Sequence, residues 1–140
     1  LYFSYLERRF ATYAWSQVYW VNDSNSLTDF AASDMGRLWN CGDLYINVAD
    51  YSNFDRIHYP DQLIAWMKKW RQASGSDGRI YLTYGDVVER NGQKMLGFVR
   101  VFEEFVLINI PADVMKEIGP IGLSFDVEHI DENYYLQTLI

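Results

Sequence analysis

Val87-Val-Glu-Arg-Asn-Gly-Gln-Lys-Met-Leu-Gly-Phe-Val-Arg-Val-Phe-Glu-Glu-Phe-Val106 decides the fold class. Asn91-Gly92 between Val87-Val88 and Met95-Leu96 is a hairpin signal, since both residues tolerate positive φ. A hairpin would make neighbouring strands antiparallel and the domain a mixed α+β sheet. Phe98, Val101, Phe102, Phe105 and Val106 instead recur at helical spacing. A helix here is a crossover, and strands joined by crossovers run parallel. A small turn followed by a helix is the preferred reading.

The flanking segments agree with the crossover. Upstream, Arg79-Ile-Tyr-Leu-Thr-Tyr84 is a strand that ends at Gly85-Asp86. Downstream, Pro111 opens a short helix, Ala112 to Ile118. Gly119-Pro120 ends it, and Ile121-Gly-Leu-Ser-Phe-Asp-Val127 forms a fourth strand running into Glu128-His129. Before strand three, Pro60 begins a helix with the apolar stripe Leu63, Ile64, Met67 and Trp70. Gly75-Ser-Asp-Gly78 stops it. A loop from Tyr51 to Tyr59 separates this helix from strand two, Leu44 to Ala49, which ends at Asp50. Leu27, Phe30, Ala31, Met35 and Leu38 mark the helix before that strand. Residues 12–21, rich in aromatic and β-branched types, read as strand one, with Tyr13, Trp15, Gln17 and Tyr19 on one face. Residues 132–139 offer a further helix. The order is that of an α/β fold with alternating strand–helix units and parallel strands.

Composition narrows the function classes. The 140 residues suit one domain, and an apolar fraction of 49% with 22% charged residues belongs to a globular chain. A net charge of −7 repels a phosphate backbone, which argues against a nucleic-acid partner. No apolar run approaches the roughly 18 residues of a membrane span. Cys41 is the only cysteine and reads as a small buried hydrophobe, so no disulfide framework exists. His58 and His129 are too far apart and too few for a zinc site. Asn22-Asp-Ser24 fits an N-glycosylation sequon and points toward the secretory pathway or the extracellular space.

Acidic residues fall at strand ends: Asp50 after strand two, Asp86 after strand three, Asp126 and Glu128 on strand four. In parallel α/β folds the carboxyl ends of strands converge on the functional face. Ser124, Asp126 and Glu128 alternate to one side. Two confined carboxylates push one pKa up, so one can stay protonated as an acid. The plainer role of such residues is to cap a helix or bond loop N–H groups. A third role, for Asp50, Asp86 and Asp126, is to hold a divalent cation in a metal-dependent phosphoester enzyme. Tyr13 and Trp15 could stack on the apolar face of a sugar, or simply pack in a core.

These residues resemble a family. Strand one with Tyr13 and Trp15 looks like the opening of a family 18 glycoside hydrolase, the chitinase-type barrel. Leu44 to Ala49 is similar to its apolar second strand. Arg79 to Gly85 stands where that family has a strand ending in Ser-x-Gly-Gly. Ile121-Gly-Leu-Ser-Phe-Asp-Val-Glu128 stands where it has Asp-x-x-Asp-x-Asp-x-Glu. Ile121 and Ser124 replace the first two acids of that motif, and Gly85-Asp86 replaces the double glycine.

The resemblance implies the first four units of a (β/α)8 TIM barrel. Such a barrel takes about 250 residues, so it implies a partial barrel belonging to a larger chain. It implies a carbohydrate substrate containing N-acetylhexosamine. Glu128 would be the general acid. Asp126 would orient the 2-acetamido group and stabilise the oxazolinium ion, the substrate-assisted exception to the two-carboxylate scheme. Tyr13, Trp15, Ser124, Tyr84, Asp86 and Asp50 would contact substrate, and neither metal nor organic cofactor is required. The altered motif motivates an alternative, a non-catalytic glycan-binding or structural barrel domain. A four-stranded α/β sandwich without a barrel is the structural rival.

Overall fold

A computed structural model describes residues 11–22, 25–38, 43–75, 78–89 and 92–130. The side chain of His129, Cys41, the Asp23-Ser24 part of the sequon and the tail helix expected at 132–139 lie outside the described residues. The chain is mixed α/β. Strands β1 (Ala11–Ala14), β2 (Asp43–Ala49), β3 (Ile80–Glu89) and β4 (Ile121–Ile130) form one four-stranded sheet. All three pairings are parallel, and the strands lie side by side in chain order.

The stretch after β3 is helical. Gly92, at φ 69°, starts helix α5 (Gln93–Glu104), which widens into a π-helical turn over Phe105–Asn109. Gly92 therefore opens a crossover helix where a hairpin would have placed a returning strand, and Asn91 lies outside the described residues. Met95, Phe98 and Phe105 bury one face of this helix. Nearly continuous burial on that face outweighs the local turn signal, because a hairpin would leave those rings in water.

Helix α4 (Pro60–Ser74) follows its sequence signals closely. Pro60 stands at its first turn, and Gly75 ends it at φ 56°, a conformation glycine adopts without a Cβ clash. Leu63, Trp66, Met67 and Trp70 are buried at i, i+3, i+4 and i+7. Each is worth about 1.5–3 kcal/mol on full burial. The Arg71 Nε–H donates to the Ile118 carbonyl at 2.6 Å, tying α4 to helix α6 (Ala112–Ile118).

Three expectations need correction. Residues 12–21 are not one strand. β1 stops at Ala14, and Val18–Val21 is a helical turn, α1. Ser16 Oγ accepts from the Val18 N–H at 3.3 Å and Gln17 is already in the αR region, so local bonding turns the chain. Trp20 is then buried, and its Nε1–H donates to the Asn47 carbonyl at 3.2 Å. Tyr19 thus leaves the face shared by Tyr13 and Trp15 and packs against the core, whereas Gln17, no longer on a strand, still reaches the Asn47 side chain. The stripe over 27–38 is likewise two helices, α2 (Ser26–Ala32) and α3 (Asp34–Leu38). Ser33 parts them, its hydroxyl donating to the Phe30 carbonyl and accepting from the Gly36 N–H.

Strand β3 also runs past the Gly85-Asp86 break to Glu89, because its pairing with β4 continues through Asp86↔Val127 to Glu89↔Ile130. Asp86 is consequently mid-strand.

Right-handed crossovers between strands added in chain order all pass over the same face of a sheet. Leu44, Ile46, Val48, Ile80, Leu82 and Tyr84 are buried on that face. Helix α4 contacts α1, α2 and α6 within the covering layer. The opposite face carries Tyr45, Asn47, Tyr81 and Gly85, all partly accessible. Among the described residues no helix is long and apolar enough to cross a membrane.

Candidate functional site

The open face begins with a ladder of rings. Tyr13, Tyr45 and Tyr81 are in register on β1, β2 and β3. Their rings stack at 4.8 and 4.5 Å between centroids, nearly parallel. Trp15 stacks on the outer side of Tyr13 at 5.4 Å. At the other end, the Tyr81 ring lies over Gly122 on β4, where a Cβ would come within 2.7 Å of it. Cross-strand aromatic pairs of this kind contribute about 0.5–1.5 kcal/mol each. Because the tyrosines face one another, their flat faces are taken. Trp15, 59% exposed, keeps one face for another flat apolar surface. Burial, together with the neighbouring Tyr81, Tyr13 and Asp43, raises the Tyr45 pKa above its ordinary value of 10.0.

One step toward the carboxyl ends lies a polar row. Asn47, Thr83 and Ser124 are paired in register across β2, β3 and β4. Adjacent members of such a row are about 4.8 Å apart. Asn47 Oδ1 accepts from Gln17 Nε2 at 3.4 Å, and its Nδ2 lies toward Gly85, 2.7 Å from where a Cβ would stand. Asp126 pairs with Gly85 in the next step of the register. The ladder and the row enclose a pocket of about 230 Å³, with Tyr13, Trp15 and Tyr45 on one side and Asn47, Thr83, Ser124 and Asp126 on the other.

Four of the residues expected at the site meet here: Tyr13, Trp15, Ser124 and Asp126. Glu128 is on the same strand two residues further along, exposed and outside the pocket lining. Tyr84 and Asp86 are elsewhere. Tyr84 is fully buried beneath the helices, and its hydroxyl donates to Asp86 Oδ2 at 2.9 Å. Asp50 Oδ1 accepts from the Ser52 N–H at 2.7 Å and from the Ser52 hydroxyl at 2.6 Å, an Asx-type turn after β2. Asp50, Asp86 and Asp126 therefore do not converge. Among the described residues no group of three or more His, Cys, Asp or Glu side chains is placed to hold a metal ion.

Asn47, Thr83 and Tyr45 were not expected in the lining. The signal for them is period-two alternation. Tyr45 and Asn47 interleave with Leu44, Ile46 and Val48, and Thr83 lies between Leu82 and Tyr84. Polar residues alternating with a buried apolar set mark a second face with its own use.

No protein-family model matches the chain, and neither a curated protein nor a solved structure matches it at a significant level.

Proposed function

We propose that the chain forms the first four strand–helix units of a glycosidase-type (βα)8 barrel. Its pocket then holds an N-acetylhexosamine unit of a glycan. The observation that carries this reading is the pocket itself: an exposed aromatic face, Trp15, beside the polar row Asn47, Thr83 and Ser124 with Asp126. A sugar ring has an apolar face for the indole and a rim of hydroxyls for short polar side chains. Parallel strands in chain order, with helices over one face, support the barrel reading.

The chemistry in this reading is substrate-assisted. Glu128 protonates the glycosidic oxygen, and the substrate's acetamido carbonyl attacks the anomeric carbon. Asp126 orients the acetamido group and stabilises the resulting oxazolinium ion. Water then opens that ion, with Glu128 accepting the proton. The open face of four strands leaves the remaining walls to further strands of a larger chain.

The test is hydrolysis of a fluorogenic chitobioside, with Trp fluorescence titration by chitotriose alongside. Release of fluorophore that E128Q abolishes supports the acid role. Equal turnover by E128Q overturns it.

A non-catalytic glycan-binding domain is the second reading. Asp126 and Glu128 are both exposed, and Glu128 lies outside the pocket lining. A general acid works best where burial or a close carboxylate holds its proton. Saturable chitotriose binding without hydrolysis selects this reading.

A further inference from the structure

Thr83 lines the pocket and carries a hydroxyl that bonds nothing among the described residues. Thr83 is 4% exposed, and its Oγ1 is buried without a hydrogen-bond partner among the described residues. Buried hydroxyls are paired in the great majority of cases, and an unpaired one costs free energy that a valine of equal shape would not. Thr83 is flanked in register by Asn47 and Ser124. Asn47 lines the same pocket, its Oδ1 taken by Gln17 and its amide nitrogen lying toward Gly85. Gly85 leaves the space that this amide occupies.

We propose that Thr83 is the specificity-determining residue of the pocket. Its hydroxyl exchanges a hydrogen bond with a hydroxyl of the bound sugar, and Asn47 Nδ2 donates a second. The inference rests on the carbohydrate reading and adds to it the residue that decides affinity. A site built to bond a hydroxyl discriminates strongly, because an unsuitable ligand leaves the buried group unpaired. The free protein carries the cost of the orphan, and the ligand relieves it.

This couples two quantities with opposite signs. Thr83→Val keeps the shape and removes the orphan, so the ligand-free protein gains stability while the pocket loses a bond. Thr83→Ser keeps the hydroxyl, and its ligand-free stability does not rise.

The experiment is calorimetric titration with chitotriose, paired with thermal unfolding of the ligand-free protein, for wild type, T83V and T83S. The expected result has three parts. T83V binds about tenfold more weakly. T83S binds within about threefold of wild type. The ligand-free Tm of T83V rises by about 2–4 °C. Wild-type affinity in T83V overturns the inference and leaves the carbohydrate reading standing. Weak binding by T83V together with a lowered Tm also overturns it, since the hydroxyl is then structural. If wild type does not bind chitotriose, the carbohydrate reading fails and this inference falls with it.

Discussion

The Tyr84 hydroxyl donates to the Asp86 carboxylate at 2.9 Å on the helix-covered side of β3. Asp86 Oδ1 also accepts from the Val87 N–H at 2.7 Å. These two residues stand next to Thr83 and Gly85, which line or border the pocket on the other side of the same strand. One strand thus separates two polar systems: a bonded pair within β3 on its helix-covered side and, on its other side, the row that lines the pocket.

Tyr84→Phe should cost stability without touching the pocket. It removes a hydrogen bond to a charged acceptor from a fully buried ring, while the contacts of that ring with Phe98 and Phe125 persist. A loss of roughly 1–2 kcal/mol is expected. Urea unfolding checks it, and chitotriose affinity should match wild type. A Y84F protein of normal stability but poor affinity would place Tyr84 in recognition instead.

Gly122→Ala should disturb the aromatic ladder. The added methyl would lie 2.7 Å from Cδ1 and Cε1 of Tyr81, so the ring has to move. Tyr81 is held on its other side by Tyr45, which makes the movement costly. Overpacking of this kind destabilises by about 1–3 kcal/mol. The denaturation midpoint reports the loss, and near-ultraviolet circular dichroism reports the changed tyrosine environment. An unchanged midpoint would show that the ladder yields freely.

Stability should fall above the ordinary tyrosine range, and Tyr45 should account for part of the fall. An unfolded tyrosine ionises at 10.0, whereas Tyr45 in the fold holds its proton to higher pH because burial and its neighbours disfavour the phenolate. Between the two values the unfolded chain has lost a proton that the folded chain keeps, so rising pH favours unfolding. The contribution is complete below the unfolded value and disappears as pH climbs through the folded one. Urea midpoints at about pH 9 and about pH 11 should separate further for wild type than for Tyr45→Phe. Equal separations would remove Tyr45 from the pH dependence.

The sequence made the sheet and its main crossover legible for simple reasons. Leu44, Ile46 and Val48 alternate with polar or aromatic partners, and Pro60 and Gly75 bracket a helix whose stripe is unmistakable. What stayed hidden depends on contacts distant in sequence. Trp20 has strand-type neighbours, yet it turns into a helix and bonds the Asn47 carbonyl, 27 positions away. Asp86 sits beside a glycine that reads as a strand terminator, but pairing with β4 carries the strand through it. Thr83 reads as an ordinary strand threonine, and only its surroundings reveal a hydroxyl unpaired among the described residues. Residue type and spacing suggest which groups can do chemistry. Which face of the sheet receives them is decided by the strands on either side.

Gly85→Ala tests the pocket from its floor. Gly85 pairs with Asp126 on β4, and a Cβ there would stand 2.7 Å from Asn47 Nδ2, with the Asp126 carbonyl at an ordinary 3.9 Å. The obstacle is therefore the end of a side chain and not backbone, so the amide can swing aside and the fold should survive with a small change in stability. Swinging aside strains or breaks the contact with Gln17 and takes Nδ2 out of line with Thr83. If Asn47 donates to the ligand, one hydrogen bond is lost, and chitotriose affinity should drop about fivefold. Asn47→Ala should produce a similar drop, and in the double variant the two losses should not add, because both remove the same donor. Additive losses would mean that Gly85 matters for room in the pocket and that Asn47 acts independently of it.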